Sequence, residues 1–190
     1  MSQIITFKIT GIKPLLMQGD ALADPLNPIT KAHKAVTAKK QKTQEDYEWL
    51  AESEWRAGLY FDDELGPYIP SFNLEAAITE GARLSKKGKD IERGLEVITD
   101  RARLEYEGPR TIKGLWDARF YDVRSVVVGG KRVMRYRPKF NAWSAQFDVA
   151  IDTEILDDHR VIAYVETAGR YCGLGTYRKK FGRFSVEVLS

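Results

Sequence analysis

The amino-acid sequence predicts an α+β fold with a βαββαβ core, and three observations carry that prediction. Strand-like alternation of apolar and polar residues occupies both outer parts of the chain. Two amphipathic helical stripes lie between the strand segments, and a glycine-rich basic loop separates the second helix from the last strand. That order is the ferredoxin-like (RRM-like) plan, with right-handed crossovers setting both helices on one face of an antiparallel sheet and leaving the other face free for a ligand or partner.

Each element has its own signal. "IITFKIT" puts Ile5, Phe7 and Ile9 on one face of a first strand. Pro14, Pro25 and Pro28 break the stretch after it, and a connection that long is more often functional than a plain linker. Thr43 caps the acidic "TQEDYEWLAESEW", with Tyr47, Leu50 and Ala51 at helical spacing. Ser71 is placed to cap "FNLEAAITEGARL", whose stripe is Leu74, Ala77, Ile78, Gly81 and Leu84. "ARLEYEG" alternates as a strand, and "YDVRSVVV" and "KRVMRYR" form a hairpin across Gly129-Gly130, a two-residue turn suited to positive φ. "WSAQFDVAID" is a strand with Phe147, Val149 and Ile151 inward. Asp157 or Asp158 then caps a helix striped by Val161, Ile162, Val165 and Ala168, and "RFSVEVL" closes the sheet. The 190 residues fit one domain, 1–190, with insertions around 14–68 and 106–142.

Composition bounds the function. The chain is 43% hydrophobic and 30% charged, which is enough apolar material for a core. Net charge is only +3, so any interaction with an anionic polymer rests on local patches. Cys172 is the only cysteine, which excludes an internal disulfide and a cysteine metal cluster and points to the cytoplasm. No secretory signal and no membrane span are expected, because "MSQIITFKITG" alternates and no apolar run approaches the ~20 residues a span needs.

Three basic clusters remain. "GRYCGLGTYRKKFGRF" interleaves five cationic residues (Arg170, Arg178, Lys179, Lys180, Arg183) with Tyr171, Tyr177 and Phe181 among Gly173, Gly175 and Gly182. A mononucleotide loop would need strand, glycines, then helix; here the order is reversed, and no P-loop motif exists. A helix cap would explain one or two of the glycines. Alternating cations and aromatics suit an extended single strand, with cations on phosphates, rings on bases and glycines permitting close approach. The hairpin adds Lys131, Arg132, Arg135, Tyr136 and Arg137, which an edge strand guarded by charge would also explain. The third cluster, from Lys31 to Lys42 with Lys34, Lys39 and Lys40, reads equally as a solvated face and as a mobile phosphate-binding arm.

Catalytic arrangements are poor, and neither metal nor cofactor is expected. His33 and His159 have no ligand spacing and default to the surface. Asp62-Asp63-Glu64 and Asp157-Asp158 read more simply as caps than as a nuclease metal site, and Cys172 lacks a base partner.

"ITFKITGIKPLLM" and "AGRYCGLGTYRKKFGRFSVEV" resemble the RAMP superfamily, the repeat-associated proteins of CRISPR effector complexes. "VMRYRPKFNAWSAQFDVAID" is similar to small bacteriophage proteins distantly related to that superfamily, which implies the cytoplasm of a bacterial host. The resemblance implies an RNA- or DNA-binding protomer of a homo-oligomeric filament. Gly173, Gly175, Arg178, Lys179, Lys180 and Arg183 would hold the sugar-phosphate backbone, and the inserted segments would act as finger or thumb. The chain is short for a CRISPR backbone subunit and lacks the histidine that guide-processing relatives use near this region, so nuclease activity and a guide RNA are not carried over.

The sequence reading is therefore a non-catalytic protein that binds single strands largely independently of sequence and polymerises along them. Its rival is a protein-interaction module, an inhibitor or assembly adaptor, using the open sheet face and Trp49, Trp55, Trp116 and Trp143.

Overall fold

The computed structural model describes residues 2–178 and 180–190. Its strands are β1 (Ser2–Gly11), β2 (Leu15–Leu16), β3 (Phe61–Asp62), β4 (Gly66–Pro70), β5 (Leu95–Val97), β6 (Arg101–Glu105), β7 (Tyr121–Val128), β8 (Lys131–Phe140), β9 (Ser144–Asp152) and β10 (Phe184–Val188). The α-helices are α1 (Pro28–Thr37), α2 (Gln44–Gly58), α3 (Ser71–Arg83), α4 (Gly88–Gly94), α5 (Ile112–Asp117) and α6 (Asp158–Thr167).

The main sheet runs β10-β1-β9-β6-β4-β3, with β5 also pairing to β9, and every pairing is antiparallel. Taking β5 and β6 as two pieces of one broken strand, the core order is last–first–third–second, the ferredoxin-like arrangement. The break is held by Thr99, whose hydroxyl accepts the Asp148 amide at 2.9 Å while the Ile98 amide donates to the Asp148 carbonyl at 3.0 Å.

Strand periodicity decides which residues enter the core. Ile5, Phe7 and Ile9 are buried and face Val149, Phe147 and Ala145 across the β1–β9 ladder, with the Phe7 and Phe147 rings 5.6 Å apart. Burying each large apolar side chain of this kind is worth about 1.5–3 kcal/mol. Helices α3 and α6 pack on each other over this face through Leu74, Ala77, Ile78, Val161 and Val165. The opposite face, carrying Thr6, Lys8, Gln146 and Asp148, is polar.

The segment from 12 to 70 between β1 and α3 holds β2, α1, α2, β3 and β4; the segment from 106 to 143 holds α5 and the β7–β8 hairpin. They meet where Trp55 of α2, fully buried, donates its indole N–H to the Phe120 carbonyl at 2.9 Å. The Trp55 ring lies 5.4 Å from that of Trp116, tilted by 52°, and Trp116 continues into Tyr121 and Tyr136.

Several local expectations need correction. Ser71 is the first helical residue and does not cap α3: its amide donates to the Asp100 carbonyl at 2.9 Å, so extended Pro70 takes the cap position. Thr43 does cap α2, in a capping box with Asp46. Asp157 caps α6 by accepting the Arg160 amide. Of the lysine run, Lys31 and Lys34 lie on a helix, and Lys39, Lys40 and Lys42 follow its end. Asn27 and Pro28 start α1, Thr30 anchors it to the Ala21 carbonyl at 2.6 Å, and its lysines form a solvated face. His33 is not a plain surface residue either. It is half-buried, with Nδ1 2.8 Å from the Ser53 hydroxyl, and burial lowers its pKa. Trp55 and Trp143 lie inside, which removes half of the tryptophans on which the protein-interface reading leaned.

Candidate nucleic-acid interface

After α6 the chain makes one π-type turn, Ala168–Cys172, and enters the glycine-rich loop. Gly173, Gly175 and Gly182 have φ of 77°, 73° and 70°, a region that β-carbon sterics discourage. The space beside them is filled by the chain itself. A Cβ on Gly175 would collide with the Leu16 carbonyl oxygen, one on Gly182 with the Leu174 carbonyl oxygen, and one on Gly173 would sit 2.8 Å from the Phe181 carbonyl. Close approach to a nucleic acid is therefore not what demands these glycines. Gly175 lets the loop dock against the β2 strand, and Gly173 and Gly182 let the loop close on its own backbone.

That docking is hydrogen-bonded. The Thr176 amide donates to the Leu16 carbonyl at 2.9 Å, and the Gly182 amide to the Pro14 carbonyl at 2.8 Å. Strand β2 pairs in turn with β8, Leu15 opposite Phe140 and Leu16 opposite Lys139. Residues almost the whole chain apart thus become one surface of loop, β2 and hairpin base.

On this surface the Arg137 guanidinium lies over the Tyr177 ring at 4.8 Å, and the Arg124 guanidinium over the Phe181 ring at 4.6 Å. Gln18 accepts from Arg137 Nε at 3.4 Å and from the Thr176 hydroxyl at 3.1 Å, tying hairpin to loop. Tyr177, at φ 52°, keeps 38% of its surface exposed, whereas Phe181 is buried and offers no stacking face.

The remaining cations differ in how far the chain engages them. Arg135 donates to the Glu54 carboxylate at 2.7 Å, and the same carboxylate accepts the Tyr136 amide at 3.2 Å. Tyr136 is half-buried against Trp116 and Tyr121. Arg178 reaches Glu80 at 2.6 Å, but both side chains are partly exposed, and such pairs are worth only about 0–1 kcal/mol. Lys131 and Arg132 sit exposed near the hairpin turn, and Lys180 is exposed in the loop. Lys34 is exposed on α1 and Lys40 just after it; Lys39 is paired to Asp46 at 2.6 Å, an ion pair that holds the Asp46 pKa below its usual value. Arg170 and Arg183 lie at the loop root. Lys179 lies outside the described residues.

Arg124 and Gln18 belong to this surface without having been singled out in the sequence. The Gly129-Gly130 turn dictates a register that sets Arg124 opposite Arg135 and Asp122 opposite Arg137, and that signal was readable. Gln18 had none, because its role depends on the long-range seat of β2. Among the described residues no three His, Cys, Asp or Glu side chains gather as a metal site, and no helix is long and apolar enough to cross a membrane.

Comparison with solved structures bears on the fold. A chain of the type III-B Cmr-beta complex, solved by cryo-EM bound to cognate target RNA, superposes with a TM-score of 0.55 at 12% identity, over 98% of this chain and 60% of that one. The fold is similar to that of this chain of the Cmr-beta complex. The resemblance to the repeat-associated proteins of CRISPR complexes therefore holds at the level of fold, and the chain spans about 60% of that neighbour's length. Cmr6 from Pyrococcus furiosus also aligns, with a TM-score of 0.41 at 11% identity over 97% of this chain and 98% of that one. No protein-family model matches the sequence, and no curated protein matches it.

Proposed function

We propose that this chain is a non-catalytic single-stranded nucleic-acid-binding protein that holds the sugar-phosphate backbone largely without regard to sequence and polymerises along the strand as a homo-oligomer. The observation that carries the proposal is the convergence of loop and hairpin base on one surface, where Arg137 and exposed Tyr177 stand side by side. Arg137 has donors to spare for phosphate while its flat face stays on Tyr177. Arg178 can exchange its exposed Glu80 partner for a phosphate at little cost. Lys180 in the loop and Lys131 and Arg132 beside the hairpin turn are exposed and supply further charge, and Lys179 completes the loop's basic run. The RNA bound by the Cmr-beta neighbour favours RNA over DNA as the strand. Arg135 and Tyr136 have structural duties and drop out of the binding set.

The test is fluorescence anisotropy of labelled single-stranded RNA and DNA of two lengths across a salt series, with light scattering on the same mixtures. The logarithm of affinity should fall linearly with the logarithm of salt, at a slope of about −0.7 per neutralised phosphate, and scattering mass should grow with strand length. Absence of binding at low salt would sink the proposal; binding without mass growth would remove only the filament.

A further inference from the structure

We propose that a cavity at the base of the hairpin reads one base of the bound strand, and that this base is guanine. The cavity, of about 420 Å³, lies between the Met17–Ala23 segment, the end of α2 and strand β8. That is room for a purine. Met17, Leu22 and Ala57 give it apolar walls, and its polar groups are Gln18, Asp20 and Arg137. Glu54 and Arg135 also line it, but they already hold each other at 2.7 Å.

The decisive group is the Asp20 carboxylate. Asp20 stands at the N-cap of the short helical turn Ala21–Ala23, where an aspartate ordinarily folds its side chain back onto the turn's amides, yet it makes no such bond. Asp24, nearby, does fold back, accepting the Leu26 amide at 2.8 Å. Among the described residues Asp20 has no side-chain hydrogen bond or ion pair at all. Gln18 supplies the complementary group. Its side-chain oxygen is taken: Arg137 Nε, which only donates, reaches it at 3.4 Å and the Thr176 hydroxyl at 3.1 Å. Its NH₂ group keeps donors with no acceptor among the described residues.

The cavity thus presents acceptors from Asp20 and donors from Gln18 and Arg137. Asp20 repels a phosphate, and the arginines repel a cation. A neutral planar group with both donors and an acceptor on one edge satisfies the whole set. A carboxylate accepts through two oxygens, so it matches two adjacent donors best. Of the four bases only guanine has two, N1–H and N2–H, side by side on its Watson–Crick edge, the edge a single strand leaves open to protein. Its O6 acceptor lies next to them, for Gln18 or Arg137.

The wall is fixed in advance. The Met17 amide donates to the Pro138 carbonyl at 3.0 Å, the Gly19 amide to the Gly58 carbonyl at 2.9 Å, and the Tyr60 hydroxyl to the Gln18 carbonyl at 3.3 Å. Gly19 packs so closely on α2 that a Cβ there would sit 2.9 Å from the Ala57 carbonyl oxygen. Binding therefore orders little backbone. The inference rests on the strand-binding reading and adds to it one base-reading position beside contacts that ignore sequence.

The experiment is anisotropy of labelled oligouridylates that carry guanosine, inosine, adenosine or cytidine at one central position, against uridine throughout. The guanosine oligomer should bind about tenfold more tightly than the all-uridine one, and inosine, which lacks the N2 amino group, should lose most of that gain. Asp20→Asn should bring the guanosine oligomer down to the all-uridine level. Asp20 is exposed and caps nothing, so this variant leaves the fold intact. Equal affinity for all five oligomers, or preference for another base, would overturn the pocket and leave the strand-binding reading standing. A guanosine preference that survives Asp20→Asn would overturn the pocket as its source. If no oligomer binds at low salt, the strand reading fails, and calorimetric titration of guanosine 5′-monophosphate decides the pocket alone. Saturable heat lost in Asp20→Asn would uphold it, and no heat would overturn it.

Discussion

At the base of the β7–β8 hairpin, Arg124, Arg135 and Arg137 each meet a partner from this chain: Asp122 and Phe181, Glu54, and Tyr177 with Gln18. At the root of the loop, Lys13, Arg170 and Arg183 form no side-chain hydrogen bond or ion pair among the described residues. The sequence marked the hairpin and the glycine-rich loop alike as basic clusters, without Arg124 or Lys13. The difference lies in what the fold brings opposite them, a helix carrying Glu54 in one case and a cavity in the other. Cation density along a chain therefore measures potential for binding an anion, and the acidic residues delivered by distant elements decide how much of it survives folding.

The strongest way to break the comparison is to unseat the loop that separates the two regions. Gly175→Ala places a Cβ against the Leu16 carbonyl at φ 73°. A loss of about 3 kcal/mol in urea unfolding is expected from the strained backbone plus the collision. A wild-type midpoint would mean that the loop is not anchored on β2.

Next comes the hairpin base. Glu54→Ala leaves a half-buried Arg135 and the Tyr136 amide without their acceptor, which should cost about 2 kcal/mol of stability. Arg135→Ala should also lower stability while leaving strand affinity within about twofold, since its charge is already neutralised. A large drop in affinity for Arg135→Ala, with stability intact, would erase the distinction between the regions.

Tyr177→Ala sharpens the comparison on the binding side. It should weaken strand affinity by about 1 kcal/mol, roughly fivefold, as expected for removing one stacking ring, with little change in the urea midpoint.

The smallest effect is a pH dependence confined to the hairpin side. Burial holds the His33 pKa below its ordinary value, with Glu54 pulling it up and Arg135 pushing it down. The unfolded chain then takes up the His33 proton first as pH falls through about 6.5, so this stability is present above that pH and declines below it. His33→Gln should flatten that decline. A dip that persists unchanged in His33→Gln would assign it to another group.

The ferredoxin-like core was legible because its signals are local. Strand alternation in β1, β9 and β10, the Gly129-Gly130 turn and the Thr43 capping box each sit within a few residues. Helix α4, flanked by Gly88 and Gly94, and the six-residue α5 were not, since elements that short are held by tertiary packing more than by propensity. In the candidate site, the basic and aromatic residues were legible as a set. Their sorting into welded and unengaged groups was not, because Glu54, Glu80 and Gln18 reach them from far along the chain. The glycines were read for a ligand, yet Gly175 accommodates the backbone of Leu16, a neighbour that no local pattern announces, while Gly173 and Gly182 accommodate the loop's own backbone.

Strand β1 reaches its two sheet partners only across most of the described chain, with Ile5 opposite Val149 and Phe7 opposite Val188. Closing loops of that length costs conformational entropy before any contact rewards it, so these two ladders form late compared with the local β7–β8 hairpin. Until they close, Ile5, Phe7 and Ile9 lack the cross-strand neighbours Val149, Phe147 and Ala145 that cover them in the fold. Slow closure, with an apolar strand uncovered in the meantime, is the kinetic counterpart of setting β1 between β9 and β10.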